Sequence, residues 1–243
     1  MKYKLETIPV WDAMHEDTEC LFCSLMEKAE RRYIDFYLGS SVMNPETRVK
    51  VNSVGFCPTH YSALSEEPKP QGLALISHTH LLETQRALGP LQDSLKHIKK
   101  GKRAKKIIEQ IREVLRSRES GCLICENMEM TLLRYAYTYV FLWGSEPEFR
   151  DAVEKSKGIC LHHYPVVLDM ASQALEGGQQ EEFLRTIASS MDRWLSKMAE
   201  DVHWQTQMYK SENRDKDWRG TQDAHKRAIH HETGSVRFIK KES

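Results

Sequence analysis

The chain has 243 residues, 35 basic and 35 acidic side chains, a formal net charge of zero, 40% hydrophobic residues and a mean hydropathy of -0.59. This length suits one large domain or two small ones. Neutrality argues against a broad nucleic-acid surface, which needs a basic excess, and no apolar run approaches the roughly 18 residues of a membrane-spanning helix. Only 12 Gly and 8 Pro, set against abundant Leu, Ala, Glu, Lys, Met, Gln and Arg, favour an all-α fold.

In chain order, the opening Met1-Lys2-Tyr3-Lys4-Leu5-Glu6 lacks the apolar stretch of a secretory leader, so a cytoplasmic location and a reducing environment for the six cysteines are expected. After Cys20-Leu21-Phe22-Cys23, apolar and aromatic residues recur at three and four over 25–38, which predicts an amphipathic helix. Pro45 opens a short helix through Arg48, Gly55-Phe56-Cys57 makes a turn, and another helix begins near Tyr61. Residues 72–96 are expected to be helical, with Leu73, Leu75, Ile76, Leu81, Leu82, Leu88 and Leu91 as candidate buried positions. The basic run at 99–106 reads as a solvated linker or helix start, and 107–115 as an amphipathic helix. Further helices are expected over 128–143, from Pro147 through Arg150, over 165–175 and over 181–208, the last two separated at Gly177-Gly178. From Asn213 the chain is polar, with Trp218 and Ile229 as the residues expected to fold back onto the body.

An internal duplication organises these elements. Shifted by 102 positions, Cys20 to Arg48 lies over Cys122 to Arg150 with eleven of 29 positions identical. One inserted residue later, Gly55-Phe56-Cys57-Pro58-Thr59-His60-Tyr61 meets Gly158-Ile159-Cys160-Leu161-His162-His163-Tyr164. The expected architecture is therefore an all-α tandem duplication of a metal-stapled helical pair with additional packing helices. It comprises a first repeat (1–98), a basic linker and connecting helix (99–120), a second repeat (121–212) and a polar tail (213–243).

All six cysteines fall in the duplicated motif, and each Cys-x-x-Cys is separated from a following Cys-x-x-His by a spacer of 33 or 34 residues. Three thiolates and one imidazole suit a closed tetrahedral zinc site. Read repeat by repeat, the ligand sets are Cys20, Cys23, Cys57 and His60, and Cys122, Cys125, Cys160 and His163. The repeat alignment selects His163 over the adjacent His162. Two zinc ions per chain are expected; an iron–sulfur cluster and thiol–disulfide chemistry are the alternatives, as is the plain burial of small cysteine side chains.

Other candidates are weaker. His78 and His80 fall on opposite helix faces and read as surface or capping residues, and Glu200, Asp201 and His203 do not converge on one face. His225, His230 and His231 with Asp223 and Glu232 fit a polar tail at least as well as a loose metal site. Tyr33, Tyr37, Tyr135 and Tyr139 read as duplicated core packing, and Arg32 and Arg134 as partners of Glu46 and Glu148 within each repeat. No phosphate-binding Gly-rich loop, nucleophile elbow or His-Glu-x-x-His helix is present, so no catalytic constellation is identified. The expected function is an interaction or regulatory module with a protein or small-molecule partner; a redox enzyme or a metal sensor or trafficking protein are the alternatives.

The segments Thr7-Ile8-Pro9-Val10-Trp11-Asp12-Ala13, Gly121-Cys122, Trp218-Arg219-Gly220, Asp223-Ala224 and Arg227-Ala228-Ile229, together with both Cys/His motifs, are notable in combination. With them the chain resembles an uncharacterised bacterial family of helical cytoplasmic proteins over nearly its whole length. The resemblance implies the same paired Cys/His sites and no established activity. Some members carry transporter-component labels, for which this chain has no export or lipid-anchor motif, and its tail is richer in His and Lys.

Overall fold

The computed structural model describes residues 3–98 and 101–234, except the side chain of Lys102. Among these residues the secondary structure is all-α, with no strand. The helices are α1 (Thr7–Met14), α2 (Leu21–Leu38), α3 (Pro45–Val54), α4 (Pro58–Glu66), α5 (Pro70–Lys96), α6 (Gly101–Glu119), α7 (Leu123–Ser145), α8 (Pro147–Lys155), α9 (Tyr164–Ala174), α10 (Gly177–Met208) and α11 (Ala224–Thr233). Short 3₁₀ turns occupy Ser40–Met43 and Ser211–Asn213.

Proline sets several starts. Pro45, Pro58, Pro70 and Pro147 each stand in the first turn of their helix, where the missing N–H costs nothing. Asn44 caps α3 by accepting from the Thr47 N–H at 3.0 Å. The expected break at Gly177-Gly178 is instead the beginning of α10, where Gly177 adopts φ +52°. Helix α1 is an element that the sequence pattern did not single out.

The chain forms two compact units, and these do not follow the ranges expected from the repeats. One takes Met1–Glu27 and Thr131–Ser243, the other Lys28–Met130, so the chain passes between units within α2 and again within α7. In the first unit the core is aromatic. Phe149 is fully buried, with its ring edge-on to Trp11 at 4.9 Å and to Tyr139 at 5.4 Å. Tyr135, Phe22, Ile159, Phe183 and Ile187 fill the space around them. In the second unit, Tyr37, Phe56, Leu64, Val51 and Ile124 form the core, and Tyr37 accepts a hydrogen bond from Asn127 Nδ2 at 2.9 Å. The duplicated tyrosines 37, 135 and 139 are thus buried core residues, as their helical spacing implied.

Three expectations are corrected by packing. Among the described residues of the 27-residue α5, only Ile76 is buried, while Leu81 and Leu82 are exposed. Arg134 pairs with Glu6 at 3.1 Å and not with Glu148. The region from Asn213 to Gly234 folds back as expected but through other residues: Asn213, Thr221, Ala224 and His231 are buried, Trp218 is half-buried and Ile229 faces solvent. Helix α11 packs on α10, where Arg227 Nη1 lies 3.3 Å from Asp201 Oδ2. Of the basic run, residues 101–106 form the first turns of α6, while Lys99 and Lys100 lie outside the described residues.

Candidate metal centres

Every Cys and His of the duplicated motif sits at or beside a helix N-terminus. Cys20 and Cys122 precede α2 and α7, and Cys23 and Cys125 lie in their first turns. Cys57 is the N-cap residue of α4 with His60 one turn in, and Cys160 and His163 lead into α9. The positive end of a helix dipole favours thiolates there.

The structure gathers these eight residues into two groups, and the grouping differs from the one expected repeat by repeat. Cys20, Cys23, Cys160 and His163 form one cluster; Cys57, His60, Cys122 and Cys125 form the other. Each Cys-x-x-Cys is completed by the Cys-x-x-His of the other repeat. Helix length explains this. At about 1.5 Å per residue, the 18-residue α2 carries the chain about 27 Å away from Cys20 and Cys23, and the ten-residue α3 can return it only about 15 Å. The spacer is mostly helix and not a slack loop, which disfavours closing the two half-sites of one repeat onto a single ion.

Within each cluster the ligand atoms all lie within 4.8 Å of one another. In the first centre His163 Nδ1 is 3.2 Å from Cys160 Sγ, 3.6 Å from Cys23 Sγ and 3.7 Å from Cys20 Sγ, and the Cys23 and Cys160 sulfurs are 3.8 Å apart. In the second, His60 Nδ1 is 3.2 Å from Cys57 Sγ, 3.2 Å from Cys122 Sγ and 3.3 Å from Cys125 Sγ, and the Cys57 and Cys125 sulfurs are 3.9 Å apart. Both groups could hold a metal ion. His162 is exposed and lies outside the cluster, its ring adjoining that of His163.

The electrostatics of both centres favour a cation. Hydrogen bonds to Cys122 and to Glu30 raise the His60 imidazole to about 10. Burial opposes charge on His163, but hydrogen bonds to Cys160 and Cys23 prevail and raise it to about 9. Burial pushes the Cys122 thiol up, yet the hydrogen bond to His60 and those to neighbouring backbone outweigh it and bring it to about 6. Burial and the adjacent Cys122 drive Cys125 to about 12, and burial likewise raises Cys20. Thiols this close cannot all ionise without a positive charge among them.

The surroundings of the two centres differ. In the first, all four ligands are buried and α11 adds a cover: the Leu161 N–H donates to the His231 carbonyl at 2.8 Å, and buried His231 Nε2 lies 3.4 Å from Glu19 Oε2. Gly158, at φ +107°, brings the backbone against Trp194; a Cβ there would come within 2.8 Å of the indole Cγ. In the second centre Cys57 is half-buried and Cys125 exposed. There Glu30 Oε1, 3.1 Å from His60 Nε2, orients the imidazole so that Nδ1 faces the sulfurs, and the Leu123 N–H donates to the Gly55 carbonyl at 3.2 Å, tying the half-sites together.

Sequence spacing contained no signal for Glu30, and it placed His231 in a tail. The remaining candidates belong to neither centre. His80 is half-buried, 3.1 Å from Arg118 Nη2, which also donates to its carbonyl, so it is a packing residue and not a surface one. Asp201 bridges Lys197 and Arg227. His225 Nδ1 is 2.8 Å from Gln205 Nε2. Among the described residues, no helix is long and apolar enough to cross a membrane.

No solved structure matches the chain. A curated relative, an uncharacterized 23.9 kDa protein in the xynA 3' region of Caldicellulosiruptor sp. (strain Rt8B.4), is 23% identical over 181 residues, covering 74% of this chain and 79% of that protein. A family model described as a family of unknown function, DUF6062, matches residues 1–238, and the chain therefore belongs to that family.

Proposed function

We propose that each Cys3His group binds one zinc ion structurally, and that the chain serves as a zinc-stapled interaction or regulatory module in the cytoplasm. The observation that carries the metal reading is the ligand spacing. A tetrahedral ion with Zn–S of about 2.3 Å and Zn–N of about 2.0–2.1 Å places sulfurs roughly 3.8 Å apart and sulfur roughly 3.6 Å from nitrogen. The separations of 3.8 and 3.9 Å between sulfurs match the first edge, and those of 3.2–3.7 Å from sulfur to nitrogen lie at or a little below the second. An iron–sulfur cluster spreads its ligands over more than one iron, whereas four donors all within 4.8 Å surround the space of one ion.

A structural role follows from the donor count. Four protein donors leave zinc no open position for a reacting water, and gathering thiolates without a cation is costly, so binding stabilises folding. Six free cysteines held as thiolates also fit a reducing compartment. The module reading is supported by α5 and α6, where Leu81, Leu82, Ile108 and Leu115 are all more than a third exposed on helices that bury little else. Elemental analysis of protein purified anaerobically without added metal tests the reading. It predicts two zinc per chain; iron with sulfide, or no metal at all, would overturn it.

A further inference from the structure

We propose that the second centre is a site of oxidative modification, in which a hydroperoxide links Cys57 to Cys125 as a disulfide and expels the zinc ion. The inference rests on the zinc reading of that centre. Three observations lead to it. Cys125 is the one exposed cysteine of the six, so its sulfur is open to a small oxidant that the buried Cys20, Cys23 and Cys160 exclude. Cys57, the next most accessible, holds its sulfur 3.9 Å from that of Cys125, a gap that closes by about 2 Å when the S–S bond forms. Finally, the two residues come from separate segments, the N-cap of α4 and the first turn of α7, so joining them draws a ligand from each half-site and leaves only Cys122 and His60.

The chemistry balances without the metal changing oxidation state, since zinc has no redox chemistry. The Cys125 thiolate attacks one peroxide oxygen, the O–O bond breaks, and with one proton the products are Cys125 sulfenic acid and water (or an alcohol, for an organic hydroperoxide). The Cys57 thiolate then attacks the Cys125 sulfur, the S–O bond breaks, and the leaving hydroxide takes a second proton to become water. The two sulfurs lose two electrons and the peroxide gains them. A disulfide is a poor zinc ligand, so the ion departs, and a dithiol reductant with zinc restores the centre.

The first centre is the internal control. Its cysteines are shielded by burial and by α11, so a given peroxide dose spares them. The test uses the full chain after two bound zinc ions have been measured, so that failure of the zinc reading shows before oxidant is added. Graded hydrogen peroxide is then applied, zinc release is followed with a colorimetric chelator, and disulfides are mapped by mass spectrometry of a non-reducing digest. The expected result is release of one zinc per chain with a Cys57–Cys125 disulfide, both reversed by dithiothreitol and zinc. A Cys125→His variant retains four zinc donors without the exposed sulfur, and it should release zinc at least about tenfold more slowly at the same dose. Release of both ions together, a disulfide between any other pair, or unchanged release from Cys125→His would overturn the proposal.

Discussion

The two Cys3His centres share a donor set and a helix-terminal geometry but differ in what surrounds them. In the first, Cys20, Cys23, Cys160 and His163 are buried among aromatic residues and covered by α11; in the second, Cys57 and Cys125 reach the surface. Equal donors in unequal surroundings separate two properties: the donor set fixes which ion would fit, while burial fixes how readily the sulfurs can be reached.

The largest expected effect is at the closed centre. Cys160→Ser removes a fully buried ligand, should abolish one zinc, and should lower stability by more than about 4 kcal/mol in denaturant titration, because metal loss then exposes an unpaired thiolate-rich core. Cys125→Ser should cost less, since its site is partly solvated; equal losses would break the contrast. Next come the two turn glycines. Gly158→Ala puts a Cβ into the Trp194 ring at a left-handed φ and should cost about 2–4 kcal/mol. Gly55→Ala, also at a positive φ, meets the edge of the His80 ring at 3.0 Å and the Tyr61 hydroxyl at 3.5 Å, and should cost about 1–2 kcal/mol. Reversal of that order would show that the backbone at the closed centre is the more yielding one.

Two smaller effects sharpen the comparison. Glu30→Gln weakens the acceptor of His60 Nε2 and should lower zinc affinity at the open centre by about 10–100-fold in competition with a chelator, leaving the other ion unaffected. His231→Ala removes the Glu19 contact that helps hold α11, and should speed chelator extraction from the closed centre by about 2–10-fold. If neither rate nor affinity changes, these residues do not tune their centres.

Much of this was legible in the sequence, for reasons that particular residues make plain. Periodicity placed the long helices, and the duplicated motif contains all eight residues that the clusters gather. What it did not reveal was the exchange of half-sites between repeats. Ligand spacing counts residues along the chain, and it treated the 33 residues between Cys23 and Cys57 as a tether, whereas most of them are α2 and α3. Long-range contacts were likewise out of reach: Glu30 faces His60 across 30 positions, and Glu19 meets His231 across more than 200. The failure at α5 has the opposite cause. Leu81 and Leu82 obey an amphipathic pattern, but no further helix of the described residues covers them.

The exchange of half-sites is the central claim, and a paired substitution tests it most directly. The full chain carrying Cys20→Ser with Cys160→Ser should retain one zinc per chain by elemental analysis, because both changes fall in the same cluster. If each repeat instead held its own ion, the same two changes would damage both sites, and a chain left with no zinc would contradict the account.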